Sequence, residues 1–432
     1  MFLVSLVKLS NPSNNRRYIL IDEETRSPCL YPLLYVMSKL RLKSLSTQQS
    51  NLNALKFWYA FWKEKFNENF CLSFYKSKYN AEIFIEEIDS FFIYLENNSK
   101  HDDGLIRIKK PLEVNYTTIS KKIQDIIKYL IFLIDNFFRR DVEESKSKHS
   151  FIRRQILILQ NKSEQFARVS SSNSNVKQFK SLTERMKDSF LEIATPSTPV
   201  NSNPKNVFKD SATQFRNFLI ARLLINYGLR VGELLLLSIN SRTLNRYSGN
   251  TSLTIEDTQD IEDYRSPKPR IKNEQSKRRI EISRDDYNLI SYYIENYRPD
   301  NAKSDLLFLS LQYPFPPLSY SSIKKMFNIW DKQFRELYPN YYDSKYTDSI
   351  DKLSAHVCRH TWATLMLEYA HITAMNSSSS HEIAISQAIE SLKKAGGWSS
   401  NSLMVSRYAD RYLSERANST NISRIKNHGK VL

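Results

Sequence analysis

Two histidines and an arginine stand together in His356-Val357-Cys358-Arg359-His360-Thr361-Trp362. No Gly or Pro interrupts the run onward to Tyr369. That predicts a helix, on which positions i, i+3 and i+4 share a face. His356, Arg359 and His360 then point the same way, with Trp362, Leu365 and Leu367 as apolar anchors. A permanent cation beside two imidazoles suits a site that holds an anion and moves protons near neutral pH. Histidines four apart can also ligate zinc, but the protease form of that motif needs Glu directly after the first His. Here Val357 follows it, and Arg359 on the same face would repel a metal ion, so no metal is expected. Taken alone, the stretch is also compatible with incidental histidines on an ordinary helix.

Other segments carry chemistry of the same kind. In Gly228-Leu229-Arg230-Val231-Gly232-Glu233-Leu234, an arginine sits at an elbow after a long apolar helix, Phe215 to Tyr227. The glycines let the backbone approach something closely; a purely structural Arg230–Glu233 pair is the plain alternative. Arg270-Ile271-Lys272 and Arg278-Arg279-Ile280-Glu281-Ile282 flank the turn-rich Asn273-Glu274-Gln275-Ser276. This reads as a β-hairpin with Lys272 near its tip, or as one more lysine in a basic turn. Further on come Gly396-Gly397-Trp398 and Ser406-Arg407-Tyr408-Ala409. A late tyrosine by itself is ordinarily a packing residue.

Taken together, these boxes resemble the tyrosine recombinase (phage integrase) family in order and spacing over about 205–413. The resemblance implies that Arg230 and Arg359 are the two catalytic arginines, with Glu233 supporting the first. It implies that His356 belongs to the second box, with His360 adjoining it, that Lys272 is the hairpin lysine, and that Tyr408 is the nucleophile. Lys272, Ser276, Arg278 and Ile280 fit the family's hairpin pattern. Trp398 stands where most members have His, so this position can only hydrogen-bond through its indole N–H. The Trp398–Tyr408 gap is one residue longer than usual, which keeps Tyr412, one turn on, as a rival. The connection from Arg359 to Trp398 is also long, with Ser377 to Ser380 inside it.

The chemistry implied is attack of a phenol on a phosphodiester. Two forked, permanently charged guanidiniums suit the phosphoryl oxygens, and preorganised charge of this kind is commonly the largest catalytic term. A phenol with pKa about 10 needs a proton acceptor, for which His356 is the candidate. Lys272 is the candidate acid for the leaving 5′ oxygen. A covalent phosphotyrosine conserves the bond energy, so neither cofactor nor metal is expected. The family implies strand exchange by a homotetramer on two double-stranded DNA sites, with possible accessory recombination proteins. Type IB topoisomerases or telomere resolvases share the residue set, and a catalytically inactive DNA-binding relative is a third reading.

The framework that carries these groups reads as mainly helical. Lys plus Arg number 63 against 46 Asp plus Glu, a net charge of +17, which favours a polyanionic partner. Cys29, Cys71 and Cys358 are widely spaced and odd in number, which suits a reducing cytoplasm. The apolar run at 2–7 is too short to span a bilayer, so no membrane association is expected. Residues 1–45 read as an N-terminal extension with a strand at Tyr18–Ile21 and a helix at Tyr31–Met37. A capping box at Ser46-Thr47-Gln48-Gln49 opens a helical domain over 46–163. Its helices fall near Ala81–Leu95, from Thr117 to Arg139-Arg140, and over Phe151–Leu159; its basic faces include Lys121, Lys122, Lys128, Arg153 and Arg154. Residues 164–204, with the polar run Ser170 to Asn175 and Pro196, Pro199 and Pro204, read as a linker containing a short helix at Thr183–Ile193. A mixed α+β catalytic domain over 205–415 and a tail over 416–432 complete the chain. The fold class expected is therefore mainly α with a small β-sheet: a SAM-like core-binding domain, then a tyrosine-recombinase catalytic domain.

Overall fold

The computed structural model of the chain describes residues 1–8, 16–80, 82–98, 116–138, 146–172, 181–197, 202–257, 263, 265, 268–346, 348–377 and 380–428. The features read at Arg139-Arg140, at Asn173 to Asn175, at Pro199 and at Ser378-Ser379 lie outside them. The chain divides into two units, Met1–Val176 and Lys177–Leu432. Both are mainly helical, and each carries one three-stranded antiparallel sheet.

In the first unit, β1 (Phe2–Lys8) pairs with β2 (Arg16–Asp22), Phe2 opposite Asp22, and β3 (Ser27–Pro28) adds to β2. Helices α1 (Leu30–Ser38), α2 (Leu45–Phe66), α3 (Phe70–Lys76), α4 (Glu82–Asn98), α5 (Tyr116–Leu133) and α6 (Lys146–Ser172) follow. The buried Trp58 of α2 packs its indole against Phe61, Trp62, Phe70 and Phe91. Phe2, Leu20, Tyr31, Tyr35 and Val36 enter the same core. Residues 1–45 are thus not an extension standing apart: a small ribbon is marginal alone, and this one buries its inward face on α2. The cap of α2 is Ser44, whose hydroxyl accepts from the Thr47 N–H, rather than Ser46. Gln48 is buried instead, with its amide donating to the Leu40 and Lys43 carbonyls. Lys121, Arg153 and Arg154 are exposed. Lys122 is not part of that outward face, because its ammonium sits 3.6 Å over the Phe57 ring, its stem covering apolar surface.

The second unit starts with α7 (Glu184–Ala194), capped by Thr183, and α8 (Ser211–Tyr227). Leu219, Ile220, Leu223 and Leu224 of α8 are fully buried, so α8 forms the floor of the unit. Gly228 ends it in the left-handed conformation (φ 59°), and the short α9 (Val231–Leu234) begins immediately after Arg230. The sheet orders β4 (Arg242–Leu244), β5 (Thr251–Ile255) and β6 (Arg278–Ile282), with Leu253 opposite Ile280. Then come α10 (Arg284–Asn296), α11 (Tyr320–Leu337), α12 (Ala355–Ser377), α13 (His381–Gly396) and α14 (Leu403–His428). The expected hairpin is corrected in one arm. Residues 270–272 form no strand; β5 is the partner of β6, and Lys272 lies in their connection. β6 takes β5 as its partner along its whole length, and Pro269, just before 270–272, has no N–H to offer a ladder. α14 also continues through His428, past the boundary drawn at 415.

Among the described residues no helix is long and apolar enough to cross a membrane. Nor, among them, does any group of three or more His, Cys, Asp or Glu side chains form a potential metal site.

Candidate active site

Three turns of chain bring guanidiniums to one place. Arg230 is held from below by Glu233, whose carboxylate accepts both the Arg230 backbone N–H (3.0 Å) and its Nη1 (2.5 Å). Arg278, the first residue of β6, donates at 3.2 Å to Oε2 of Glu233, the oxygen that also accepts the Arg230 backbone N–H. Glu233 is 1% exposed. Burial pushes its carboxyl up, but Arg278 and Arg230 outweigh this and leave it below its ordinary value. Arg359, on α12, donates to the carbonyls of Gly228 and Gly396, the latter at 2.7 Å. Burial, then the charge of Arg230, lowers the Arg359 pKa to about 9, so the group is still a cation at pH 7. Three guanidiniums around one carboxylate leave an excess of positive charge where solvent screens it poorly. An anion is the natural complement.

The Gly396-Gly397 turn fits between these groups. Gly397 adopts φ 61° and caps α13, with the Trp398 N–H donating to the Lys393 carbonyl at 3.1 Å. Its own carbonyl accepts from Arg230 Nη2 and from the Ser276 hydroxyl, both at 3.1 Å. A Cβ on Gly397 would stand 2.7 Å from Arg278 Nη1 and 2.9 Å from Ser276 Cα. Gly397→Ala is therefore expected to destabilise the unit by about 1–2 kcal/mol from the left-handed backbone alone. The clash adds to this. A lower urea midpoint at unchanged slope would register it.

Trp398 contributes its ring face. The Arg359 guanidinium carbon lies 4.2 Å from its centroid and that of Arg230 5.8 Å. Beside the indole N–H that the sequence points to, the ring face thus makes cation–π contacts with both arginines. Tyr408, on α14, packs edge-on to Trp398 with centroids 6.0 Å apart. It is 3% exposed, and its hydroxyl is hydrogen-bonded to Nδ1 of His360. Burial pushes the phenol up to about 12, against the lowering effect of Arg359 and Arg230.

The expected residues are thus unevenly gathered. Arg230, Glu233, Arg359, His360, Trp398 and Tyr408 form one contiguous cluster. His356 lies at its solvent edge, its ring 4.1 Å from that of His360, and its pKa is lowered by burial and then by Arg359. Lys272 is exposed, and among the described residues no hydrogen bond or ion pair ties it to the cluster. Ser276 and Arg278 reach the site in its place. The sequence marks both only as matches to the hairpin pattern; the signal for Arg278 is Glu233, a carboxylate with two oxygens to satisfy. Tyr412 makes a separate set of contacts: its hydroxyl is bonded to His371 Nδ1 at 2.9 Å, beside Arg416.

Residues 201–415 match the phage integrase family, a segment that runs from before Arg230 to beyond Tyr412. A search of curated proteins finds no match. Among solved structures, the XerH site-specific recombinase bound to difH substrate, in a pre-cleavage complex, is similar at 16% identity. That match covers 91% of this chain and 85% of XerH, with a TM-score of 0.49. The Tn1549 transposon integrase in complex with transposon right end DNA is similar at 14% identity over 84% of this chain and 99% of that one, with a TM-score of 0.37. XerA recombinase is similar at 16% identity over 86% and 98%, with a TM-score of 0.34. Through its catalytic region the chain belongs to the phage integrase family. It is a site-specific tyrosine recombinase.

Proposed function

We propose that this recombinase cuts and rejoins duplex DNA through a 3′-phosphotyrosyl intermediate on Tyr408, in the service of a mobile genetic element. The observation that carries this reading is the Tyr408 hydroxyl, bonded to an imidazole and close to two arginines. On attack, the Tyr408 oxygen bonds to phosphorus and the phosphorus–5′ oxygen bond breaks. Arg230 and Arg359 hold the non-bridging oxygens, where negative charge accumulates. Lys272 is the proposed acid for the departing 5′ oxygen; it stands exposed, and on this reading bound DNA draws it to the scissile phosphate. Rejoining reverses the steps with a different 5′ hydroxyl, so no energy source or cofactor is consumed. The net charge of +17 and the exposed Lys121, Arg153 and Arg154 of the first unit support duplex DNA as the partner. The working assembly is proposed to be a homotetramer on two DNA sites, acting in the cytoplasm with accessory recombination proteins.

The test uses a pool of nicked duplexes with a randomised central segment. The protein is expected to retain a subset of them through SDS denaturation, and a Tyr408 peptide is expected to carry the nucleotide adduct. EDTA is expected to leave capture intact. A mobility shift without SDS-stable capture would reduce the protein to a DNA binder. Capture that EDTA abolishes and zinc or magnesium restores would return the histidine pair to a metal site.

A further inference from the structure

We propose that His360, not His356, is the group that takes the proton from Tyr408 when the phenol attacks. This rests on the preceding reading that Tyr408 is the nucleophile. A general base must lie within hydrogen-bonding reach of the proton it removes. His360 meets that condition before any substrate arrives, since its Nδ1 is bonded to the Tyr408 hydroxyl and both residues are buried, at 5% and 3% exposure. His356 does not: its described contact is the edge-on ring of His360, one helical turn on.

The bond spans two helices, α12 and α14, so it also sets where the phenol oxygen stands. A neutral phenol is the donor here, which makes Nδ1 the acceptor and places the ring's own proton on Nε2. The groups facing this pair are His356 and Arg359 on α12, Arg230 at the start of α9, and Trp398 after α13. Two of these, Arg230 and Arg359, are cations near neutral pH, which favour phenolate over phenol as the proton leaves. In the step itself, the phenol proton moves to His360 Nδ1 as the Tyr408 oxygen bonds to phosphorus. The resulting imidazolium returns that proton to the same oxygen when the phosphotyrosyl bond is broken in rejoining. His356, at the rim, is left to face the phosphate.

The roles separate by substitution. In His360→Asn, the amide oxygen stands near the position of Nδ1 and still accepts a hydrogen bond, but it cannot take a proton. With the duplex recovered by covalent capture, the variant is expected to form adduct about 10²-fold or more slowly than wild type near pH 7.5, within the usual range for general-base catalysis. Its rate should climb about tenfold from pH 7 to pH 8, where Arg359 is still mostly charged, following the phenolate fraction of a tyrosine with a pKa near 12, while wild type levels off. His356→Asn is expected to slow the reaction with a pH profile parallel to wild type. In wild-type protein labelled with 15N-histidine, His360 Nδ1 should be unprotonated when free and protonated once the adduct forms. A His360→Asn rate within about threefold of wild type, a loss that does not vary with pH, or an Nδ1 that stays unprotonated in the adduct would each overturn the assignment. Absence of adduct with the wild-type protein would instead defeat the recombination chemistry on which the assignment rests.

Discussion

Arg359→Ala is expected to slow adduct formation by about 10²–10³-fold or more, the cost usually seen when one oriented donor to a developing oxyanion is removed. Duplex affinity should stay within a few-fold of wild type, because affinity for DNA is spread over many phosphate contacts and this side chain supplies at most one. Arg230→Ala should behave alike, with one difference. Glu233 would keep only Arg278 as an ion-pair partner, and its carboxylate, 1% exposed, would be less well compensated. Arg359→Lys separates charge from geometry. An ammonium keeps the positive charge but cannot reproduce the fork that spans the Gly228 and Gly396 carbonyls. It is expected to recover only a small part of the lost rate. Truncating Arg359 also removes the side-chain donor to the Gly228 carbonyl, a cost of about 1–3 kcal/mol where that oxygen is shielded from water, while the Gly396 carbonyl keeps Arg230 Nη1 at 3.3 Å. Rates are therefore compared only after thermal melts show the variants folded at the assay temperature. Adduct is counted on denaturing gels and affinity read by fluorescence anisotropy at one fixed salt concentration. Cleavage near the wild-type rate in either alanine variant would mean that the phosphate is held elsewhere.

The parts of this site that were legible in the sequence are those set by local geometry. His356, Arg359 and His360 fall on one helix face because of helical spacing, and Gly228 ends α8 because the chain must turn there with positive φ. The pairing of Arg230 with Glu233 is a contact across three residues and could be read directly. The proton acceptor could not, since His360 and Tyr408 are 48 residues apart on different helices. Only the crossing of α12 and α14 decides which imidazole meets the phenol. The same limit governs Lys272: the turn-rich Asn273 to Ser276 marks the start of the β6 arm of the hairpin, but its partner, β5, lies beyond a long connection, so the sequence points to the adjacent 270–272 as the other arm. At the N-terminus, the strand around Tyr18–Ile21 and the helix after it were evident. Their burial on α2 was not, because sequence alternation gives a strand two faces without saying what covers either.

Tyr408→Phe is expected to bind the captured duplex normally and form no adduct at all, while Tyr412→Phe still forms one. Removing only the hydroxyl keeps each ring's packing, so the comparison isolates the oxygen. Position along α12 argues for Tyr408. Its hydroxyl is tied to His360, one residue from Arg359, whereas Tyr412 is tied to His371. Those two histidines are eleven residues apart on one helix, which at 1.5 Å per residue is about 16 Å. A phenol held at His371 is therefore remote from the arginines that must grip the phosphate, and it would have to break its bonds to His371 and Arg416 to reach them. The Tyr412 hydroxyl instead bonds Nδ1 of the buried His371, which Arg416 Nη1 also reaches at 3.0 Å. Its loss should cost on the order of 1 kcal/mol of stability, visible as a lower urea midpoint with little change in rate. Peptide mass mapping of the wild-type adduct completes the comparison. An adduct on Tyr412 that survives Tyr408→Phe would falsify the assignment and require α14 to shift along α12 by several turns when DNA binds.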